Sequence, residues 1–477
     1  MSTRREFLEG TAWMGAVAAL SSGCVTNIGK VCGAGEMTGF AAPALGKVRV
    51  GVVGLGMRGP GAVHRLASIP GVTVAALCDL FPERVQAQQN WLVDHGHPKA
   101  AEYTGEEGYK ALCESDIDLV YATCPWKLHT PVALYAMTHG KHAAIEVPSA
   151  MTIEECWALV ETSEKTGRHC MQLENCCYGE MEMLNLNLAR MGKLGEIMHG
   201  EGAYIHDLRE LNYLDPAQGG YQGYWRLKWN AEHTGNPYAT HGLVPLMQAM
   251  NINRGDRFDY LTCVSTKQVG MDNYAKIKFG EGSWQEKVHP ALGDMSTMVI
   301  KTVNGKTIMI QHDVTSPRPY SRINLLSGTM GISRGIGRGY DFQIALAEKP
   351  GDGAHGWADE ETANKIADEY QHPLWKVAGE LAQKMGGHGG MDFLMDLRLC
   401  YCLQNGLPLD MDVYDLASSC AVQELSERSA RHRGDSQDIP DFTRGGWKTA
   451  KPLGIESVDM EKLGIKDVKK DDAQLNV

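Results

Sequence analysis

The hexapeptide GLGMRG at 54–59 sets three glycines at G-x-G-x-x-G spacing directly behind the β-branched run VRVGVV. Glycines so placed let a backbone turn approach a pyrophosphate, and a helix beginning there offers it unpaired N–H groups. Asp79 closes the next apolar run, 23 residues beyond Gly56. A carboxylate at a spacing of about 20 residues takes the diol of an adenosine ribose and repels a 2′-phosphate, so NAD is expected rather than NADP. Gly54, Gly56, Met57, Arg58 and Asp79 are the expected contacts, with Arg58 either covering phosphates or standing at the surface. A second cluster lies in TGNPYATHGLVPLM (234–247), where Tyr238 precedes His241 by three residues. If a helix begins there, the two side chains stand one turn apart and can face one pocket. Imidazole takes and returns a proton near neutral pH, which makes His241 the expected proton carrier with Tyr238 beside it.

Other chemistry-bearing residues read more plainly. Tyr178 and Tyr204 are rival acid–base groups, although burial against the cofactor suits Tyr178 better than chemistry. Asp392 and Asp396, four apart, have the spacing of a helix-borne carboxylate pair such as glycosidases use. Exposed or helix-start acids explain them better. His388 in GGHGGMD reads as packing behind a glycine turn. His206–Asp207 and His312–Asp313 lack ligand spacing, and no metal is expected.

The elements that must position these groups follow an α/β rhythm. VRVGVV, VTVAALCD, IDLVYATCP and KHAAIEVP read as strands, alternating with the helical stretches GAVHRLASI, PERVQAQQNWLVDH and HTPVALYAMTHG. That order predicts a doubly wound parallel sheet of the Rossmann kind. From about residue 195 longer alternating segments predict an α+β domain with an open, mostly antiparallel sheet, NGK at 304–306 turning one hairpin. DFLMDLRLCYCLQNG and DVYDLASSCAVQELSERSA are expected to close it as amphipathic helices. The expected units are 1–31 (export signal and start of a connector), 32–46 (connector), 47–175 (NAD-binding Rossmann domain), 176–420 (substrate domain) and 421–477 (helix end and surface tail).

A chain of 477 residues with 43% hydrophobic content can build two cores. Its net charge of −12 argues against nucleic acid or an anionic membrane as a partner. Thirteen cysteines, an odd number scattered through CPW, ECW, NCCYG and LCYC, read as buried thiols and not as a disulfide frame. The start STRREFLEGTAWMGAVAALSSGC has a paired-arginine head, a short apolar stretch and small residues, the layout of a twin-arginine export signal for cargo folded around its cofactor. SSGC also offers Cys24 for lipid attachment, with Leu20 one place early. The expected location is the periplasm, a membrane anchor or the exterior. A homo-oligomer is compatible with the sequence.

With GLGMRG, the motifs WKLHTP, GKHAAIEVP and QLENCCYG resemble the glucose–fructose oxidoreductase/inositol dehydrogenase superfamily over about residues 47–420. The resemblance implies that Trp126, Lys127, Leu128, His129, Glu146, Val147 and Asn175 line the nicotinamide half of NAD. Dehydrogenases of that superfamily read E-K-P where this chain has Val147, and they carry an Asp where this chain has Pro237. Valine cannot hydrogen-bond or titrate, so the lysine's proton-transfer role is vacant. RREFLEG, VGLGMRGPGAVHRLA, CDLFPERV, ENCCYGE, GNPYATHGL, SPRPYSR and HGGMDFLMDLRL together resemble glycoside hydrolase family 109, the NAD-dependent α-N-acetylgalactosaminidases.

That resemblance implies sugar contacts at Tyr204, Arg226, Tyr238, Ala239, Thr240, His241 and Tyr320. It implies one tightly bound NAD per chain, not consumed, and a glycan substrate ending in an N-acetylhexosamine. The expected cycle oxidises sugar carbon 3, eliminates across carbons 2 and 1, adds water and returns the hydride. An exported NAD-dependent sugar dehydrogenase and a non-catalytic sugar-binding protein are the alternatives.

Overall fold

The computed structural model describes residues 37–336, 342–454 and 457–465. The expected export signal and Cys24 lie outside them. A six-stranded sheet is built from β1 (Val48–Val53), β2 (Val72–Asp79), β3 (Ala101–Thr104), β4 (Leu119–Ala122), β5 (His142–Glu146) and β6 (Cys170–Leu173). Its order is β3-β2-β1-β4-β5-β6 and every pairing is parallel. Helices cover both faces, so β1, β4, β5 and β6 are nearly continuous buried runs. The strand order reverses between β1 and β4, which opens a crevice at their carboxyl ends. β6, four buried residues with no β-branched side chain, was not among the expected strands, and neither was β3. β3 is a four-residue edge strand, mostly exposed, with no apolar run to mark it.

The second sheet contains β7 (Ile197–Ile205), β8 (Phe258–Ser265), β9 (Ser296–Thr302), β10 (Thr307–Asp313), β11 (Leu325–Gly328), β12 (Gly331–Arg334), β13 (Gln343–Leu346) and β14 (Gln437–Asp438). Its order is β13-β12-β11-β7-β10-β9-β8-β14. All pairings are antiparallel except the central β7–β10 pair. Gly305 turns the β9–β10 hairpin at φ +92°. Gly202 on β7 and Gly242 on the helix Thr240–Ala249 meet backbone to backbone. A Cβ on Gly202 would stand 2.2 Å from the Gly242 carbonyl oxygen. This close approach seats the start of that helix beside Tyr204 at the end of β7.

Two expectations need correction. The helices Met391–Asn405 and Val413–Arg431 are not amphipathic, being buried on nearly every side. They lie between the domains: Asp396 of the first takes Arg65 Nε at 2.8 Å and the Tyr121 hydroxyl at 2.7 Å, both from the Rossmann unit. Polar residues read as a solvent face are instead internal partners. The expected break at 420 also falls inside the unbroken helix Val413–Arg431. The tail beyond it joins the fold, with β14 on β8 and buried Phe442 against Trp157. The cysteines among the described residues are buried, apart from half-buried Cys124.

Candidate active site

At the end of β1 the chain turns through Gly54 at φ +93°, where a Cβ would meet the Cys124 backbone nitrogen at 2.7 Å. A Cβ on Gly59 would stand 2.1 Å from the Gly54 carbonyl oxygen, so the helix Gly59–Ser68 can start here only on glycine. Over Gly56 the backbone is open: the single atom within 4 Å of a built Cβ is Arg84 Nη1 at 3.5 Å. The helix start carries no side-chain cap and no acid in its first turn, as an anion slot requires. Asp79 stands alongside, taking the Leu55 N–H at 2.6 Å and the Phe81 N–H at 3.0 Å. The cradle fits a dinucleotide pyrophosphate with its ribose on Asp79. Asp79→Ala is expected to weaken NAD binding about 100-fold, the cost of a charge-assisted contact and of the turn it braces. Equal affinities by titration calorimetry would remove Asp79 from the cofactor site.

Around the nicotinamide end, Lys127 and Leu128 are exposed at the first turn of the helix Trp126–Thr138, while Trp126 is buried beneath them. Met57 is exposed. Arg58 does not lie free over the turn. Its guanidinium pairs with Glu146 at 2.9 Å and Asp392 at 3.2 Å, and Nη1 lies 3.1 Å from His388 Nδ1. Asn175, on a short 3-10 turn after β6, donates to Asp392 at 2.6 Å. His129 is corrected: both ring nitrogens face carbonyl oxygens, Pro148 at 2.7 Å and Cys124 at 2.6 Å, which leaves none for a ligand. It ties the end of β4 to the end of β5 and so holds the pocket wall.

The second domain supplies the opposite wall. His241 Nδ1 lies 2.7 Å from Glu174 Oε1, which also accepts the Cys176 N–H at 3.0 Å. A carboxylate only accepts, so Nδ1 carries the hydrogen and Nε2 keeps its lone pair, 3.5 Å from the Tyr238 hydroxyl. Burial would push the wholly enclosed Glu174 up, but the neighbouring His241 and backbone N–H hold it below the usual carboxylate range. Glu174 is the functional residue that sequence reasoning missed. Its signal was present in QLENCCYG, beside Asn175, but nothing local tied it to a histidine 67 residues away.

Tyr238 lies between the rings of Trp126 (5.8 Å) and Tyr204 (4.7 Å), with the Arg226 guanidinium 4.9 Å from its ring centre. Arg226 is buried and donates to the Tyr221 hydroxyl at 2.9 Å. Among the described residues it has no carboxylate within ion-pair distance, so its remaining donors suit a neutral acceptor. Burial raises Tyr204 to about 12 and likewise pushes Tyr238 and Tyr320 well above the usual phenol range. The phenols are therefore neutral hydroxyls, and Tyr204 is corrected as a rival base. The Tyr320 hydroxyl accepts from Arg322 at 3.0 Å, and Arg322 is held by Glu182 at 2.7 Å. The Tyr204 hydroxyl lies 3.0 Å from His206 Nδ1, which places His206 on the rim although it had no expected role.

Of the expected sugar contacts, Tyr204, Arg226, Tyr238, His241 and Tyr320 converge. Ala239 and Thr240 are corrected: they are almost fully enclosed and form the turn that sets their neighbours. Tyr178 is buried, as the preferred reading had it, but its hydroxyl is spent within the protein, donating to Asp410 at 2.9 Å. Asp392 stands in the first turn of its helix, one of the two readings expected, but both it and Asp396 are buried and not exposed. Arg58, Arg65 and His388 hold Asp392 low against burial, whereas burial raises Asp396 despite Arg65. With arginines already on both, they are no glycosidase pair. His388 is more than half exposed at the mouth, on Asp392 and Arg58. Glu174, Cys176 and His241 bring three ligand-type atoms within 4.8 Å. The Cys176 thiol is pushed far up by burial, so the group reads as a hydrogen-bonded dyad beside a protonated thiol.

Crevice, glycine cradle and the facing cluster of aromatic side chains define an NAD-binding protein of the oxidoreductase fold. Residues 48–173 match the oxidoreductase family with an NAD-binding Rossmann fold, and residues 178–449 match the glycosyl hydrolase 109 C-terminal domain. An α-N-acetylgalactosaminidase of Bacteroides fragilis is 48% identical over 415 residues, spanning 87% of this chain and 96% of that protein. A glycosyl hydrolase family 109 protein of Shewanella amazonensis is 46% identical over 460 residues, spanning 95% and 98%. The chain therefore belongs to glycosyl hydrolase family 109 and is an NAD-dependent glycoside hydrolase. Levoglucosan dehydrogenase, solved with NADH and levoglucosan, shares the fold at TM-score 0.60 and 16% identity over 83% of this chain and 100% of its own. The WlbA dehydrogenase of Bordetella pertussis, solved with NADH and UDP-GlcNAcA, does so at 0.58 and 17%, over 83% and 98%. The expected fold class and family resemblance are borne out.

Proposed function

We propose that this hydrolase removes terminal α-linked N-acetylgalactosamine from glycans in a redox-neutral cycle, keeping one NAD tightly bound throughout. Bound NAD supplies a hydride acceptor that is also the donor at the end of the cycle. The chain supplies the rest. His241 Nε2 takes the proton from sugar carbon 2 and returns it, and Glu174 stabilises the imidazolium formed. Arg226 donates to the acetamide oxygen, while Trp126, Tyr204 and Tyr238 form a largely dry wall against the sugar ring. Val147 in that wall leaves proton transfer to His241.

One observation carries this reading. The base-type group facing the aromatic pocket is a carboxylate–histidine dyad, while the nearby acids Asp392 and Asp396 are already paired with arginines. A hydrolase so built does not use the two-carboxylate route. Purified protein given an aryl α-N-acetylgalactosaminide without added cofactor should release the aglycone with no net NADH, and deuterium from solvent should appear at carbon 2. Build-up of NADH would favour a dehydrogenase, and undiminished turnover after removal of the dinucleotide would end the proposal. Twin-arginine export, which places the protein where no pool recycles NADH, is part of the same reading.

A further inference from the structure

The segment Asp215–Tyr224 starts in the second domain, and its tip touches the far end of the dinucleotide crevice. It consists of two 3-10 turns, Pro216–Gln218 and Gln222–Tyr224, joined through Gly219 and Gly220. At its tip Gln222 Oε1 accepts from Arg84 Nη2 at 3.2 Å, a contact between residues 138 positions apart. Arg84 lies in the first turn of the helix Pro82–Asp94, its guanidinium 4.7 Å from the Phe81 ring centre. Its Nη1 is 3.6 Å from Asp79 Oδ1 and is the one atom near the open side of Gly56. A single cation thus stands beside the ribose carboxylate, over the middle glycine of the pyrophosphate turn, and against a strap from the other domain. The neighbouring strap residue, Tyr221, holds Arg226 of the sugar pocket at 2.9 Å.

We propose that Arg84 and Gln222 form a clasp on the adenosine–pyrophosphate half of bound NAD: Arg84 binds dinucleotide oxygens directly, and Gln222 holds the strap across the exit. This rests on the retained-NAD reading above and names the residues that retain it. The chemistry asks for such a device, because a hydride stored for the length of a turnover is lost if its carrier departs. A Rossmann crevice alone is open at its adenosine end. Among the described residues Arg84 is the cation placed over Gly56, only loosely paired with Asp79 at 3.6 Å, whereas Arg58 is held by Glu146 at 2.9 Å and Asp392 at 3.2 Å.

The test measures NAD release from the full-length protein. Loaded protein is diluted into an NAD-destroying glycohydrolase, and retained dinucleotide is assayed over time after acid extraction. Arg84→Ala should speed release about tenfold, and Gln222→Ala about threefold, as expected for losing one charged and one ordinary hydrogen-bonding group. Arg84→Lys should recover part of the loss. Circular dichroism of the NAD-free forms checks that each variant is folded. Wild-type release rates in both alanine variants would overturn the clasp while leaving the retained-NAD reading standing. A change in Arg84→Ala alone would overturn the strap's part. Rapid NAD loss from the wild-type protein would sink the retained-NAD reading itself, and the clasp with it.

Discussion

Glu174→Gln is expected to lower kcat by about 10³–10⁴ while NAD remains bound, and His241→Ala to do the same. The reason is tautomeric. Glu174 Oε1 receives the Nδ1 hydrogen of His241 at 2.7 Å, which keeps the Nε2 lone pair on the side of Tyr238. Glutamine has nearly the same shape but presents an amide that can donate, which turns the ring toward the inactive tautomer and removes the charge that balances an imidazolium. In hydrolases with a carboxylate–histidine pair, that change costs rate on this scale with geometry intact. Burst and steady-state assays on NAD-loaded variants, with bound NAD measured in parallel, read the effect. Activity within threefold of wild type in Glu174→Gln would remove the carboxylate from proton transfer. The same result in His241→Ala would remove the imidazole.

The second large effect is acid lability. Burial lowers His142 to about 4 and His169 to about 3, the Arg168 charge acting the same way on both; Asp118 acts oppositely on His142. Burial, with the Arg226 charge, lowers His312 to about 3. The hydrogen bonds show why the first two resist protonation: His142 Nδ1 accepts the His169 N–H at 3.0 Å, and His169 Nε2 accepts the Ala42 N–H at 3.2 Å. A proton on either nitrogen breaks a buried bond and charges one of two rings 5.1 Å apart.

These groups are neutral when folded and titrate near 6.5 when unfolded, so the unfolded chain binds more protons as pH falls below that value. Their contribution is fully present above about 6.5 and drains away down to the folded values. Three such groups give a slope of about 4 kcal/mol per pH unit around pH 5. Urea midpoints should therefore fall steeply between pH 6.5 and 4.5. In His169→Gln, whose amide oxygen can still accept from Ala42, the slope should flatten. A midpoint constant to pH 5 would contradict the assignment.

Much of the fold was legible locally. Four strands of the parallel sheet, β1, β2, β4 and β5, were legible as apolar runs because both faces are covered, and GLGMRG and Asp79 sit at strand ends, where turn chemistry is local. The substrate-domain strands were visible by alternation. What escaped was set by distant partners. The helix Met391–Asn405 was expected to be amphipathic, and its charged residues Asp392, Asp396 and Arg398 gave no local sign of being internal. Each is in fact spent inside, on Arg58 and Arg65, on Arg65 and Tyr121, and on Asp410. The parallel β7–β10 pair at the centre of an otherwise antiparallel sheet had no local mark either.

The site divides the same way. Residue types and spacing alone determined that the chain has a nucleotide turn with a ribose acid and a histidine one turn from a tyrosine, whereas the vacancy at Val147 was visible only through the family resemblance. The first two features follow from what a backbone turn or a single helix permits. Only the tertiary structure decided which of these groups have their polar atoms free. It spent both nitrogens of His129 on carbonyls, drew Arg58 into a pair with Glu146, and brought Glu174 to His241. Such choices depend on burial, since a polar group removed from water must find a partner, and that partner can lie hundreds of residues away.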